Sequence, residues 1–157
     1  MGTDWPKRKY PAHPPPRGQH NRPIILLATV CTRNRQCLLT NPAVHAALRS
    51  AWPRAAGWHV GFYMIMPDHV HLFCSPSELY PRPVAAWVSY WKRLVSREAP
   101  SLRGQWQRDC WDTQLRKMDH LREKQEYVRL NPVRRGLARH PQEWPYQGFI
   151  HQFRWFG

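Results

Sequence analysis

The run from Ile24 to Val30 constrains this chain most, because a stretch so apolar and so rich in branched side chains suits a strand buried on both faces. Such a strand is expected to sit centrally in a sheet. The chain has 157 residues, 42% of them hydrophobic, which is enough for one packed domain and too little for two ordinary ones.

The remaining elements follow from spacing and from turn chemistry. Asn41 before Pro42 reads as a cap and a first helical position, and Val44, Ala47, Leu48, Ala51 and Trp52 recur at helical spacing up to about Gly57. Trp58 to Met66 reads as a second strand, Met66-Pro67-Asp68 as a turn, and His69 to Cys74 as a third strand closing an antiparallel hairpin. A second helix is expected from about Pro83 to Glu98, with Val84, Trp87, Val88, Trp91, Leu94 and Val95 as its apolar stripe and Lys92, Ser96 and Arg97 mostly off it. A short strand around Gln105 to Trp111 and a helix from about Asp119 to Leu130 complete the set, and Pro132 should stop that helix near Asn131. This order is that of a ferredoxin-like (RRM-like) α+β sandwich: an antiparallel sheet with helices on one face and one added C-terminal helix.

Three segments are expected. Residues 1–22 form a basic, proline-rich arm, residues 23–147 the folded domain, and residues 148–157 an aromatic tail. Residues 1 to 23 hold six of the sixteen prolines and five basic residues, with almost nothing to bury, so the arm reads as extended. It is either a solubilising tail or a guide along a nucleic-acid backbone. The segment from 132 to 157 carries Trp144, Tyr146, Phe149, Trp155 and Phe156 and is expected to fold back onto the domain.

Charge narrows the partner. With 24 Lys plus Arg against 10 Asp plus Glu, the chain carries +14. That excess strains a compact fold by self-repulsion and is explained by a polyanion whose counterions are released on binding. Nucleic acid is favoured over a membrane surface, since no basic amphipathic helix, lipidation signal or spanning segment is apparent. Cys31, Cys37, Cys74 and Cys110 show no close pairing and read as ordinary reduced core residues, so a cytoplasmic location is expected.

Two segments carry candidate chemistry. In Met66-Pro67-Asp68-His69-Val70-His71-Leu72-Phe73, a strand puts His69 and His71 on one face. Two imidazoles side by side can hold one metal, or they are simply polar residues on the wetter face. In Tyr127-Val128-Arg129-Leu130-Asn131-Pro132, helical spacing puts Tyr127 and Asn131 on one side. Phenol and amide can then address one site, or Tyr127 belongs to the core and Asn131 ends a helix.

Taken together, M-P-D-H-V-H-L-F at residues 66 to 73, Y-V-R-L-N-P-V-R-R-G-L at 127 to 137 and W-Q-R-D-C-W-D-T-Q-L-R at 106 to 116 resemble the HUH single-tyrosine transposases, in particular the REP-associated branch. The likeness runs from about residue 22 to residue 147. It implies that His69 and His71 bind a divalent metal, that Tyr127 is the nucleophile and that Asn131 is the third ligand. A related branch usually has glutamine at that last position, and asparagine is one methylene shorter.

The implied reaction is metal-dependent nicking and rejoining of single-stranded DNA through a 5′-phosphotyrosine, at hairpin or palindromic repeats. Two imidazoles and an amide form a neutral ligand set suited to Mg2+ or Mn2+. Arg129, Arg134 and Arg135, with Lys92, Arg93 and Arg97 from the second helix, are candidate phosphate contacts. Glu123 and Glu126 are read as the solvated face of the tyrosine helix, and the general base stays unassigned. A catalytically inactive, domesticated nucleic-acid-binding protein on the same fold is the alternative. The partner expected is single-stranded DNA with a hairpin, bound by a monomer or homodimer.

Overall fold

The computed structural model describes residues 24–153. The proline-rich arm and the aromatic residues Trp155 and Phe156 lie outside them. Five strands form one antiparallel sheet, β1 (Ile25–Cys31), β2 (Trp58–Ile65), β3 (His69–Pro76), β4 (Trp111–Leu115) and β5 (Gln147–Phe149), in the order β4-β1-β3-β2-β5. Helices α1 (Pro42–Arg54) and α2 (Val84–Glu98) link the strands, and α3 (Met118–Arg129) and α4 (Asn131–Arg134) follow β4. This α+β order is compatible with the ferredoxin-like arrangement, extended at one edge by β5.

Alternation on the strands divides the interior into two layers. Leu26, Ala28 and Val30 of β1 and Val70, Leu72 and Cys74 of β3 pack with α1 and α2, where Trp52, Trp87 and Trp91 are fully buried. Ile25, Phe62, Met64 and Phe73 face the other way, onto Val128 of α3 and Trp144. The first strand is therefore buried on both faces, as its composition requires, but the middle of the sheet belongs to β3.

Local chemistry explains several boundaries. The Asn41 side chain accepts a hydrogen bond from the Val44 amide at 3.0 Å, capping α1. In β2 the register slips between Val60 and Tyr63, so Gly61 and Phe62 together oppose Phe73. A Cβ on Gly61 would come within 2.7 Å of the Phe153 ring, which is why the bulge carries a glycine.

Four expectations need correction. The fourth strand does not span Gln105 to Trp111: only Trp106 makes an isolated bridge, to Thr32, and β4 is the polar stretch Trp111–Leu115. As an edge strand it pairs with β1 alone and tolerates exposed Thr113 and a buried Asp112. The tyrosine helix does end beside Asn131, as expected, but Pro132 does not end it by forcing Asn131 out of helical geometry. The helix stops at Leu130, whose backbone stays right-handed (φ −84°, ψ −1°), and Asn131 and Pro132 open α4, where a proline without an N–H is tolerated. The boundary placed at residues 147/148 falls inside β5, whose Phe149 pairs with Phe62. Cys37 is exposed, whereas Cys31, Cys74 and Cys110 are buried, and none is in a disulfide. Burial pushes the Cys31 thiol up to about 11 and that of Cys110 up to about 12, which makes both poor nucleophiles. No helix among the described residues is long and apolar enough to cross a membrane.

Candidate active site

The two imidazoles are not on a wet face. His69 and His71 point into the layer beneath α3, with 0% and 2% of their surface exposed and ring centroids 4.7 Å apart. Burying two imidazoles in an apolar layer is costly unless each ring is hydrogen-bonded. The Nδ1 atom of His69 lies 2.8 Å from Asp68 Oδ1, and that of His71 lies 2.9 Å from Thr29 Oγ1, on the strand that pairs with it. With Nδ1 so engaged, Nε2 is the atom through which each ring would hold a metal.

Asp68 is itself held from outside. Arg35 Nε and Nη2 reach its Oδ2 at 2.9 and 2.8 Å. Burial acts to raise the Asp68 carboxyl, but the bond from His69 and the charge of Arg35 outweigh it and hold the group near 2. Burial pushes the His69 imidazole down to about 4 against the opposing pull of Asp68, so the ring is neutral at neutral pH. Arg35 and the preceding Asn34 are both left-handed, each with φ 55°. Such a backbone costs about 1–2 kcal/mol per residue, which the charge-assisted contacts to Asp68 offset.

The helical segments complete the arrangement. The Asn131 amide is buried, with Nδ2 3.4 Å from His69 Nε2 and no hydrogen-bond partner for Oδ1. Rotating the amide by 180° exchanges the two atoms and turns the oxygen toward the imidazole. A buried oxygen lacking a donor beside a neutral imidazole fits a metal ligand, so the shorter asparagine side chain does reach His69. Among the described residues no three His, Cys, Asp or Glu side chains are grouped to hold a metal, so an ion here would draw on the two imidazoles and this amide.

Tyr127 stands four residues before Asn131, half-buried and outside both apolar clusters. The Arg134 guanidinium lies 3.7 Å from its ring centroid, a cation–π contact. Arg129, by contrast, is turned to Glu126, with Nε and Nη2 at 2.8 and 2.7 Å from its carboxylate. Arg135 is exposed at the end of α4. Arg93 and Arg97 are exposed on α2, but Lys92 is buried, its Nζ bonded to the Gln107 carbonyl at 2.9 Å. Lys92 thus serves first as an anchor between α2 and the chain before β4. The sequence reading missed Asp68, Thr29 and Arg35. Asp68 was signalled by lying next to His69, whereas the other two depend on strand register and loop conformation.

No model of a known protein family matches the chain. Two curated proteins do: the chain is 25% identical over 127 residues to the REP-associated tyrosine transposase of Escherichia coli, covering 77% of this chain and 73% of that protein. It is 29% identical over 98 residues to a protein of Haemophilus influenzae named as a putative REP-associated tyrosine transposase, covering 54% of this chain and 55% of that one. The fold is similar to that of a REP-associated tyrosine transposase solved bound to a REP hairpin, with a TM-score of 0.69, 23% identity, and coverage of 83% of this chain and 79% of that one.

Proposed function

We propose that the chain, which is similar to REP-associated tyrosine transposases, nicks and rejoins single-stranded DNA at hairpin-forming repeats, with Tyr127 as nucleophile. The observation that carries this reading is the approach of the Asn131 amide, from the helical run that bears Tyr127, to within 3.4 Å of His69.

The chain's own residues account for most of what the reaction needs. The Tyr127 phenol gives up its proton and its oxygen forms a bond to phosphorus while the bond to the 3′ oxygen breaks, leaving a 5′-phosphotyrosine and a 3′ oxyanion that takes up a proton to become the free hydroxyl. A 3′-hydroxyl attacking the same phosphorus reverses the step, and the energy of the phosphodiester is kept without ATP. An unperturbed phenol, with a pKa of about 10, needs a nearby cation or a proton acceptor, and Arg134 is the cation at hand. Glu126 is committed to Arg129, and Glu123 is exposed on the same helix, so neither is assigned as the base.

His69, His71 and Asn131 would hold a divalent ion, Mg2+ or Mn2+, which when bound supplies Lewis-acid polarisation of the phosphate. Asp68 and Thr29 fix the two rings for that task.

The test uses a labelled hairpin oligonucleotide with a single-stranded flank, the purified chain and Mn2+, resolved on a denaturing gel. A labelled protein band is expected, absent with chelator and absent in Tyr127→Phe. Binding without any covalent band under every condition would instead identify a non-catalytic nucleic-acid-binding protein.

A further inference from the structure

A second feature lies on the other side of the sheet from the histidines. Helix α2 and the segment from Arg103 to Arg108 flank an open surface cleft of about 540 Å3. Its walls carry Lys92, Arg93, Arg97, Arg103 and Arg108, with no Asp or Glu among the lining residues. The four arginines are exposed, and none is ion-paired among the described residues. Like charges gathered around one concavity repel one another and gain nothing for the fold. Planar guanidinium forks match phosphate oxygens bidentately, and four of them around one concavity fit a polyanion. Trp106 forms part of the same wall, and its indole Nε1 is buried without an acceptor.

Main-chain bonds tie the cleft to the histidine site. The Gln107 amide donates to the Cys31 carbonyl at 2.9 Å and the Arg33 amide to the Gln105 carbonyl at 2.6 Å, laying the cleft's floor along the end of β1. Cys31 is the residue of β1 that pairs with His69. A strand passing around this end of the sheet would meet the histidines on one face and the arginines on the other.

We infer that this cleft seats the sugar-phosphate backbone of the DNA strand flanking the cut, through Arg93, Arg97, Arg103 and Arg108, with Lys92 anchoring its floor. This rests on the reading of the chain as a DNA-processing enzyme. It adds a second site, on the opposite face, that selects for backbone and not for base sequence.

The experiment measures binding of a labelled hairpin with a single-stranded flank across a salt series. Chelator and the Tyr127→Phe background keep chemistry out of the measurement. Removing two contacts in Arg103→Ala/Arg108→Ala should make the slope of log K against log salt shallower by about 1.4. Arg54→Ala/Arg139→Ala removes the same charge elsewhere and should leave the slope unchanged, and Arg103→Lys/Arg108→Lys should keep most of it. An unchanged slope in the cleft variant, or an equal fall in the control, overturns the inference. If the slope falls as expected but the unmodified chain forms no covalent adduct, the cleft stands and the strand-transfer reading fails instead.

Discussion

The two layers that flank the sheet are filled by different kinds of side chain. Beneath α1 and α2 the interior is hydrocarbon and indole, with Trp52, Trp87 and Trp91 stacked edge to face around Leu48, Leu72 and Val95. Beneath α3 the apolar cluster is smaller, and it shares its space with His69, His71 and Asn131. The first layer is built mainly on apolar burial, with hydrogen bonds from the Trp58 and Trp87 indoles to backbone carbonyls. The second gives up apolar contact to hold polar groups, its two imidazoles fixed in orientation by Asp68 and Thr29. The larger apolar core and the candidate metal-binding groups thereby lie on opposite faces of one sheet, and substitutions should separate them.

The largest effect is expected on the hydrocarbon side. Trp91→Ala removes a fully buried indole and should cost about 3–5 kcal/mol, read as a lower urea midpoint with an unchanged slope. A loss below 1 kcal/mol would mean that this layer is not the one that sustains the fold. Next comes Asp68→Asn, which keeps the shape but removes the charge that orients His69. It should weaken Mn2+ binding by roughly 10–100-fold, as outer-shell partners of metal-binding histidines typically do, while the urea midpoint moves far less than in Trp91→Ala. Equal falls in both quantities would erase the distinction between the layers. The smallest change sharpens the comparison: Asn41→Ala removes the α1 cap and should cost about 1 kcal/mol, with metal binding untouched because α1 lies on the other face.

Much of this was legible from residues alone. β1, the capped α1, the β2–β3 hairpin and the stripe of α2 each announce themselves by period or by cap, and the pairing of His69 with His71 follows from strand alternation. What escaped depends on long-range contacts. β4 carries Asp112-Thr113-Gln114, which reads as loop until the edge position is known, and β5 is three residues around Gly148, too short to show a period. Lys92 lies four residues after Val88 and three before Val95, so it borders the stripe, yet only the carbonyl of Gln107 explains its burial. Thr29 as the support of His71 requires the register of β1 against β3, and Arg35 as the clamp on Asp68 requires two left-handed residues in a loop.

The doubled position at Gly61 and Phe62 carries a consequence for how β2 divides between the layers. Trp58 and Val60 face the indole side before it, and Tyr63 and Ile65 face that side after it, so inside and outside exchange parity within one strand. Only with this phase change does Met64, paired with His71, fall on the histidine side. Were Gly61 and Phe62 both paired regularly, without the bulge, half the strand would turn over, carrying Met64 away from the imidazoles and Tyr63 out of the indole layer. Excising the single glycine would instead restore strict alternation with each side chain on its present face.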